Sequence, residues 1–436
     1  MKSIFTILSL FVLAAAGLVN SARSDQPSQP SDQPKPVPQT RTEIKQALER
    51  LKHREPRFPL PPPASEEVAQ AGKRLIVNNG RARRLYLPAD WFAADFGNDP
   101  AMTLEYPFKT QCFWVVSRAN NCHYCLGHQE QKLLAAGLTD NQIGLLDSDW
   151  KSLDPRLAEA VRLSRRMTLE PHLNSSQEIK ALQALFSDAE LTELVYTIAM
   201  FNSVNRWTDA MGLPQDELFR GEPIHFDSPT APQFDQGVCL SAPTMLERTE
   251  WESWSEVLQH IEEARTRQAL VELPSVEEAR TALQLPADVP VTDLHRALSR
   301  FPKVGAPQLA AWKAMEGHSE LPIRLKALIA FVTARENRSW TSLQNAIEWL
   351  NRIQVTVPQG ELIGDQWQVN EDEFAALQFA RKLTATPQQI SDADVAEMRR
   401  RFSDKQAAEI IFFTAARNQL DRFTETLALS SGESVQ

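Results

Sequence analysis

The chain has 436 residues, 28 of them Pro and only 15 Gly, and it is 42% hydrophobic and 23% charged. That length holds two or three domains of roughly 100–200 residues, and the balance excludes collagen-like or wholly disordered chains. Scarce Gly, with neither G-x-G-x-x-G nor G-x-x-x-x-G-K-[ST] present, argues against Gly-rich phosphate loops, and a formal charge of −10 argues against a nucleic-acid partner.

Met1-Lys2 precedes an apolar run, Ile4–Val19, and then small residues around Asn20-Ser21-Ala22. This pattern predicts a signal peptide over residues 1–22, cleaved after Ser21 or Ala22. The run falls short of the roughly 20 residues that span a bilayer, which disfavours the alternative of an uncleaved membrane anchor. An exported chain follows, periplasmic or extracellular, with no stable membrane span after cleavage. Residues 23–63 read as a Pro-rich tether, extended and with nothing to bury, interrupted by a short amphipathic helix at Thr42–His53.

From Ala64 onward apolar residues recur at three and four. Helices are predicted over Ala158–Met167, Ser176–Leu185, Asp188–Met200, Glu252–Leu270, Leu321–Thr333 and Asp372–Leu383. Gly137 marks a helix stop, and Thr139 with Gln142 marks the next start as a capping box. The fold class is all-α.

The chain also repeats itself. Ser117–Leu126 aligns without gaps on Ala334–Leu343 at an offset of 217 residues. Three later blocks follow at 216: Ala160–Pro171 on Ala376–Pro387, Phe186–Asp188 on Phe402–Asp404, and Asn202–Thr208 on Asn418–Thr424. Four blocks in one order predict a tandem duplication, with domains at 64–225 and 289–430 and a helical connector at 226–288. The copies differ where chemistry is possible: Cys122, Cys125 and His128 become Ser339, Ser342 and Asn345. One reactive site per chain is expected.

Cys122 and Cys125 stand one helical turn apart, so their side chains are neighbours. With Asn120-Asn121 as candidate N-caps, they would open a helix running to about Ala136. Thiols in a first turn feel the positive end of the helix dipole, which favours thiolate. His128, a turn further, is placed to carry a proton to or from a thiol or a leaving oxygen.

The stretch Phe113–His128 (FWVVSRANNCHYCLGH) resembles the signature of the alkylhydroperoxidase D-like, or carboxymuconolactone decarboxylase-like, superfamily, and Phe201–Arg206 is similar to its later helix. The resemblance implies two tandem helical domains packed as a pseudo-dimer, the second degenerate. It implies a thiol-dependent peroxidase or disulfide reductase of peroxiredoxin type, without metal, haem or other cofactor. Its partners would be a small hydroperoxide or disulfide and a thiol reductant, and homo-oligomers are common in the family. Cys125 would attack, Cys122 would form the disulfide with it, and His128 would relay protons. The family's His stands one residue later, where this chain has Gln129, and its upstream Glu is replaced by Thr110, with Glu105 the nearest acid.

Other readings stay open at this level. The pair could be a structural disulfide in a non-catalytic binding or scaffold protein, or part of a zinc site with His128 or His123. Decarboxylase-type chemistry is a third. A c-type haem is excluded because Leu126, not His, follows Cys125. Cys112 and Cys239 read as buried free thiols.

Overall fold

A computed structural model describes residues 31–62, 77–92, 99–173, 176–219, 222–226, 239–244, 250–357, 359 and 367–432. The expected signal peptide lies outside the described residues. Among them no helix is long and apolar enough to cross a membrane.

Capping chemistry sets most boundaries. Thr40 and Glu43 form a capping box for α1 (Arg41–Leu51), close to the predicted amphipathic helix. Then come α2 (Asn78–Tyr86), α3 (Tyr106–Ala119) and α4 (His123–Ala135). Gly137, at φ +91°, ends that run, and the Thr139–Gln142 box opens α5 (Asp140–Ser148) as expected. Pro155 begins α6 (Pro155–Leu169), followed by α7 (Ser176–Gln183) and the long α8 (Asp188–Ala210), boxed by Ser187 and Glu190. The only strands among the described residues are β1 (Leu218–Phe219) and β2 (Glu222–Pro223), paired antiparallel.

Next come α9 (Trp254–Thr266), within the helix predicted over Glu252–Leu270, and α10 (Val276–Leu283). They lead to α11 (Asp293–Leu298), α12 (Pro302–Glu316), α13 (Ile323–Asn337), α14 (Trp340–Arg352) and α15 (Glu371–Ala385). Last come α16 (Asp392–Arg401) and α17 (Asp404–Thr426). The architecture is mostly helical, in line with the all-α reading.

Helices α8 and α17 form the centre. Every residue from Ala407 to Thr424 is buried, and so is every residue from Leu191 to Ala210 except Val204. Helices enclosed on all sides belong in the middle of a core, and these two pack most extensively on each other. One apolar cluster runs through both sequence repeats, from Phe113 and Val195 to Phe331 and Ile411.

Polar side chains along that centre recur at the repeat offset. Asn120 Nδ2 donates to Asn202 Oδ1 at 3.1 Å, and Asn337 Nδ2 donates to Asn418 Oδ1 at 3.2 Å. Asn202 Nδ2 reaches Thr168 Oγ1 at 3.1 Å, and Asn418 Nδ2 reaches Thr384 Oγ1 at 3.0 Å. Arg206 then donates to the Leu383 and Thr384 carbonyls at 3.1 and 3.0 Å, while Arg422 donates to the Thr168 carbonyl at 3.1 Å. These carbonyls lie in the last turns of α15 and α6, which lack intrahelical donors. Each central helix thus caps a helix of the other repeat.

Residues 31–40 differ from the expected free tether. Pro38 is buried, its carbonyl accepting from Arg118 Nη2 at 2.6 Å, and the Pro36 carbonyl accepts from Asn121 Nδ2 at 3.3 Å. Pro lacks an N–H but keeps its acceptor, so an extended Pro-rich strand can satisfy buried donors that a helix cannot.

Candidate functional site

The turn between α3 and α4 sets the sulfurs. Asn120 is the C-cap of α3, Asn121 is left-handed at φ 51°, and the Cys122 N–H closes the turn on the Ser117 carbonyl at 2.8 Å. Asn tolerates that conformation better than most side chains. The expectation that Asn120-Asn121 cap α4 is corrected, because Cys122 itself is the N-cap. Its Sγ accepts the Cys125 backbone N–H at 3.4 Å. The Asn side chains are engaged elsewhere, Asn120 on Asn202 and Asn121 on Pro36 and on His123 Nε2 at 3.0 Å.

All four cysteines are free thiols, and Cys122 and Cys125 are 0% and 3% exposed. The Thr208 hydroxyl lies 3.3 Å from Cys122 Sγ and 3.1 Å from Cys125 Sγ, and donates its own proton to the Val204 carbonyl at 3.0 Å. This one hydroxyl thus bridges both sulfurs. Burial pushes the Cys125 thiol well up, and the adjacent Cys122 sulfur adds to the shift. Next to Thr208, Asp209 pairs with Lys35. Burial lowers the Lys35 pKa, while Asp209 and Cys122 both favour its charged form. The positive charge beside the pair thus comes from the segment before α1.

His128 does not hydrogen-bond a sulfur. Its Nε2 lies 2.8 Å from Asp216 Oδ2, and its Nδ1 lies 2.9 Å from the Tyr124 carbonyl and 3.2 Å from Gln215 Nε2. A neutral ring donates from Nε2 to Asp216 and accepts from Gln215 at Nδ1; an imidazolium donates from both nitrogens. The buried Tyr124 hydroxyl also donates to Asp216 Oδ2, at 2.9 Å, and burial with the Asp216 charge raises its pKa well above the usual phenol range. Gly127 leaves room for this cluster, because a Cβ there would press on the Gln215 and Phe226 side chains.

Both clusters open onto one cavity of about 360 Å³. Cys125, His128, Gln129 and Lys132 line it from one face of α4, at helical spacings of three, four and seven. Phe113 and Phe201, stacked with centroids 4.1 Å apart, are among the apolar residues of its wall. Cys122 is not among the lining residues and sits behind Cys125. A cavity of this size, mostly apolar with few polar groups, is of the kind that holds a small ligand.

Cys122 and Cys125 lie together, as the sequence predicts, whereas His128, expected as the proton relay to a thiol, lines the same cavity but bonds Asp216 and no sulfur. Sequence reasoning missed Lys35, Thr208, Asp209 and Asp216. Only Thr208 carried a signal, since it closes the block Asn202–Thr208 that aligns with the second repeat. Thr110 donates to the Tyr106 carbonyl at 2.7 Å, and Glu105 is the exposed N-cap of α3. Cys112 is buried, which pushes its thiol up to about 12, whereas Cys239 is only half-buried, contrary to expectation. Among the described residues no three His, Cys, Asp or Glu side chains converge as metal ligands. No family model matches the chain, and no curated protein matches it in sequence.

Proposed function

We propose that the chain is an exported thiol-dependent oxidoreductase of alkylhydroperoxidase D-like type, a peroxidase or disulfide reductase. In this reading it is built as a pseudo-dimer of two tandem domains, of which only the first is reactive. One observation carries the reading: Cys125 forms the wall of an apolar cavity, Cys122 lies directly behind it, and one hydroxyl holds both sulfurs.

The chemistry follows from that placement. The N-terminal end of α4 and the charge of Lys35 both favour negative charge on the sulfur that reacts. As substrate enters, the Cys125 thiol gives its proton to water, and the Cys125 sulfur attacks the terminal oxygen of the hydroperoxide. The O–O bond breaks, and the departing alkoxide takes a proton from His128 or from water. Cys125 is then a sulfenic acid. Cys122 attacks its sulfur, and the hydroxyl leaves with the Cys122 proton as water. One hydroperoxide and two thiols become one alcohol, one water and one disulfide, which an external dithiol must reduce.

The test is thiol counting with peptide mapping, before and after one equivalent of hydroperoxide. The expected result is loss of two thiols, recovered as a Cys122–Cys125 disulfide. Retention of both thiols would sink the proposal.

A further inference from the structure

Among the described residues the charges around the cavity do not balance. Lys109 pairs with Glu193 at 2.7 Å, and that carboxylate also accepts the Thr103 and Leu104 N–H groups at 2.7 and 3.0 Å. His128 faces Asp216. Lys132 is half-buried and has only the face of Tyr106, 5.7 Å from its ammonium, with no carboxylate in ion-pair range among the described residues. An apolar cavity with one uncompensated ammonium at its rim suits a ligand with an apolar body and a single anionic head.

Position gives the polarity of that ligand. Lys132 and Cys125 share one face of α4, seven residues and thus about 10 Å apart along the axis. A ligand whose head meets Lys132 would run its body between Phe113, Phe201 and Met200 and bring its far end to the Cys125 sulfur. The second repeat shows that the fold does not require this cation, because the matching position is Trp349, only 5% exposed.

We infer that the cavity binds a medium-chain carboxylic acid, its carboxylate on Lys132 and its chain along the Phe113–Phe201 wall. Resting on the proposed function, the substrate is then the hydroperoxide of such an acid, reduced to the hydroxy acid by the balanced steps above.

Binding can be tested apart from chemistry, by calorimetric titration of the reduced chain with decanoate and with 1-decanol in low salt. Decanoate should bind about tenfold more tightly, the scale of one partly exposed charge-assisted hydrogen bond. Lys132→Met, which keeps the apolar stem, should abolish that preference and leave decanol affinity unchanged. Decanoate should also slow alkylation of Cys125, which places it in the cavity. Equal affinities, a preference that survives Lys132→Met, absence of binding, or unshielded Cys125 would each overturn the inference. If decanoate binds as stated but hydroperoxide oxidises neither thiol, the acid site stands and the oxidoreductase reading falls. Thiol oxidation without decanoate binding gives the reverse.

Discussion

The two repeats hold the same polar frame around different contents. Glu193 accepts two backbone N–H groups beside Lys109, and Glu409 accepts those of Glu320 and Leu321 beside Lys326. The α3–α4 turn passes through left-handed Asn121, and the α13–α14 turn through left-handed Arg338, both at φ 51°. Lys35 with Asp209 has a counterpart in Arg267 with Glu425, although the two cations come from unrelated segments. Where the first repeat has a cavity, however, the second has aromatic rings. Phe413 matches Thr197 and Trp349 matches Lys132, their centroids 6.3 Å apart, while Trp91 stacks on Phe412 at 6.2 Å. The frame is what folding needs, and the cavity with its thiols is what one repeat adds.

The strongest way to break this comparison is to exchange the chemistry. Cys125→Ser should lower hydroperoxide reduction by at least about a thousandfold, the scale of losing a catalytic nucleophile. Installing Ser339→Cys with Ser342→Cys in that background should restore nothing in a peroxide-consumption assay, because both positions are buried and the aromatic Trp349 and Phe413 stand where Lys132 and Thr197 line the cavity. Next come the central arginines. Arg206→Ala and Arg422→Ala should each cost about 3 kcal/mol in urea unfolding, since each leaves buried carbonyls unpaired. Closely similar losses would sharpen the equivalence of the repeats.

A third prediction concerns pH. Unperturbed thiols ionise near roughly 8.5, and Cys125 is pushed above that by burial and by Cys122. Its thiolate fraction is therefore small at pH 8 and still growing past pH 9. Iodoacetamide labelling followed by mass spectrometry should show Cys125 in the native chain still accelerating where the denatured chain has levelled off. The smallest effect separates hydroxyls. Thr208→Val and Thr424→Val should each destabilise by about 1 kcal/mol, but only the first should change the rate of disulfide formation.

The sequence repeat was legible because the paired Asn, Thr and Arg residues recur at nearly fixed offsets, where each meets the equivalent partner. Helix starts were legible at the Thr139–Gln142 capping box and at Asp188, the residue after the Ser187 cap. The surroundings of the thiols were not. Lys35 meets Asp209 across 174 positions, and His128 finds Asp216 only because residues beyond α8 fold back over α4. Nothing local marks a Lys in a Pro-rich strand as the neighbour of a sulfur. Thr197 lines the cavity while Phe413, at the aligned position, is buried, a difference that only packing reveals.

The reciprocal capping by Arg206 and Arg422 ties the exchange behaviour of the two repeats together. Opening the helices around the thiols would strip the donors from the last turn of α15, and opening the second repeat would strip them from α6. Local unfolding therefore cannot stay local. Amide protons of α8 and α17 should exchange as one cooperative unit, at the free energy of global unfolding. In that sense the repeat without thiols acts as a clamp on the one that has them.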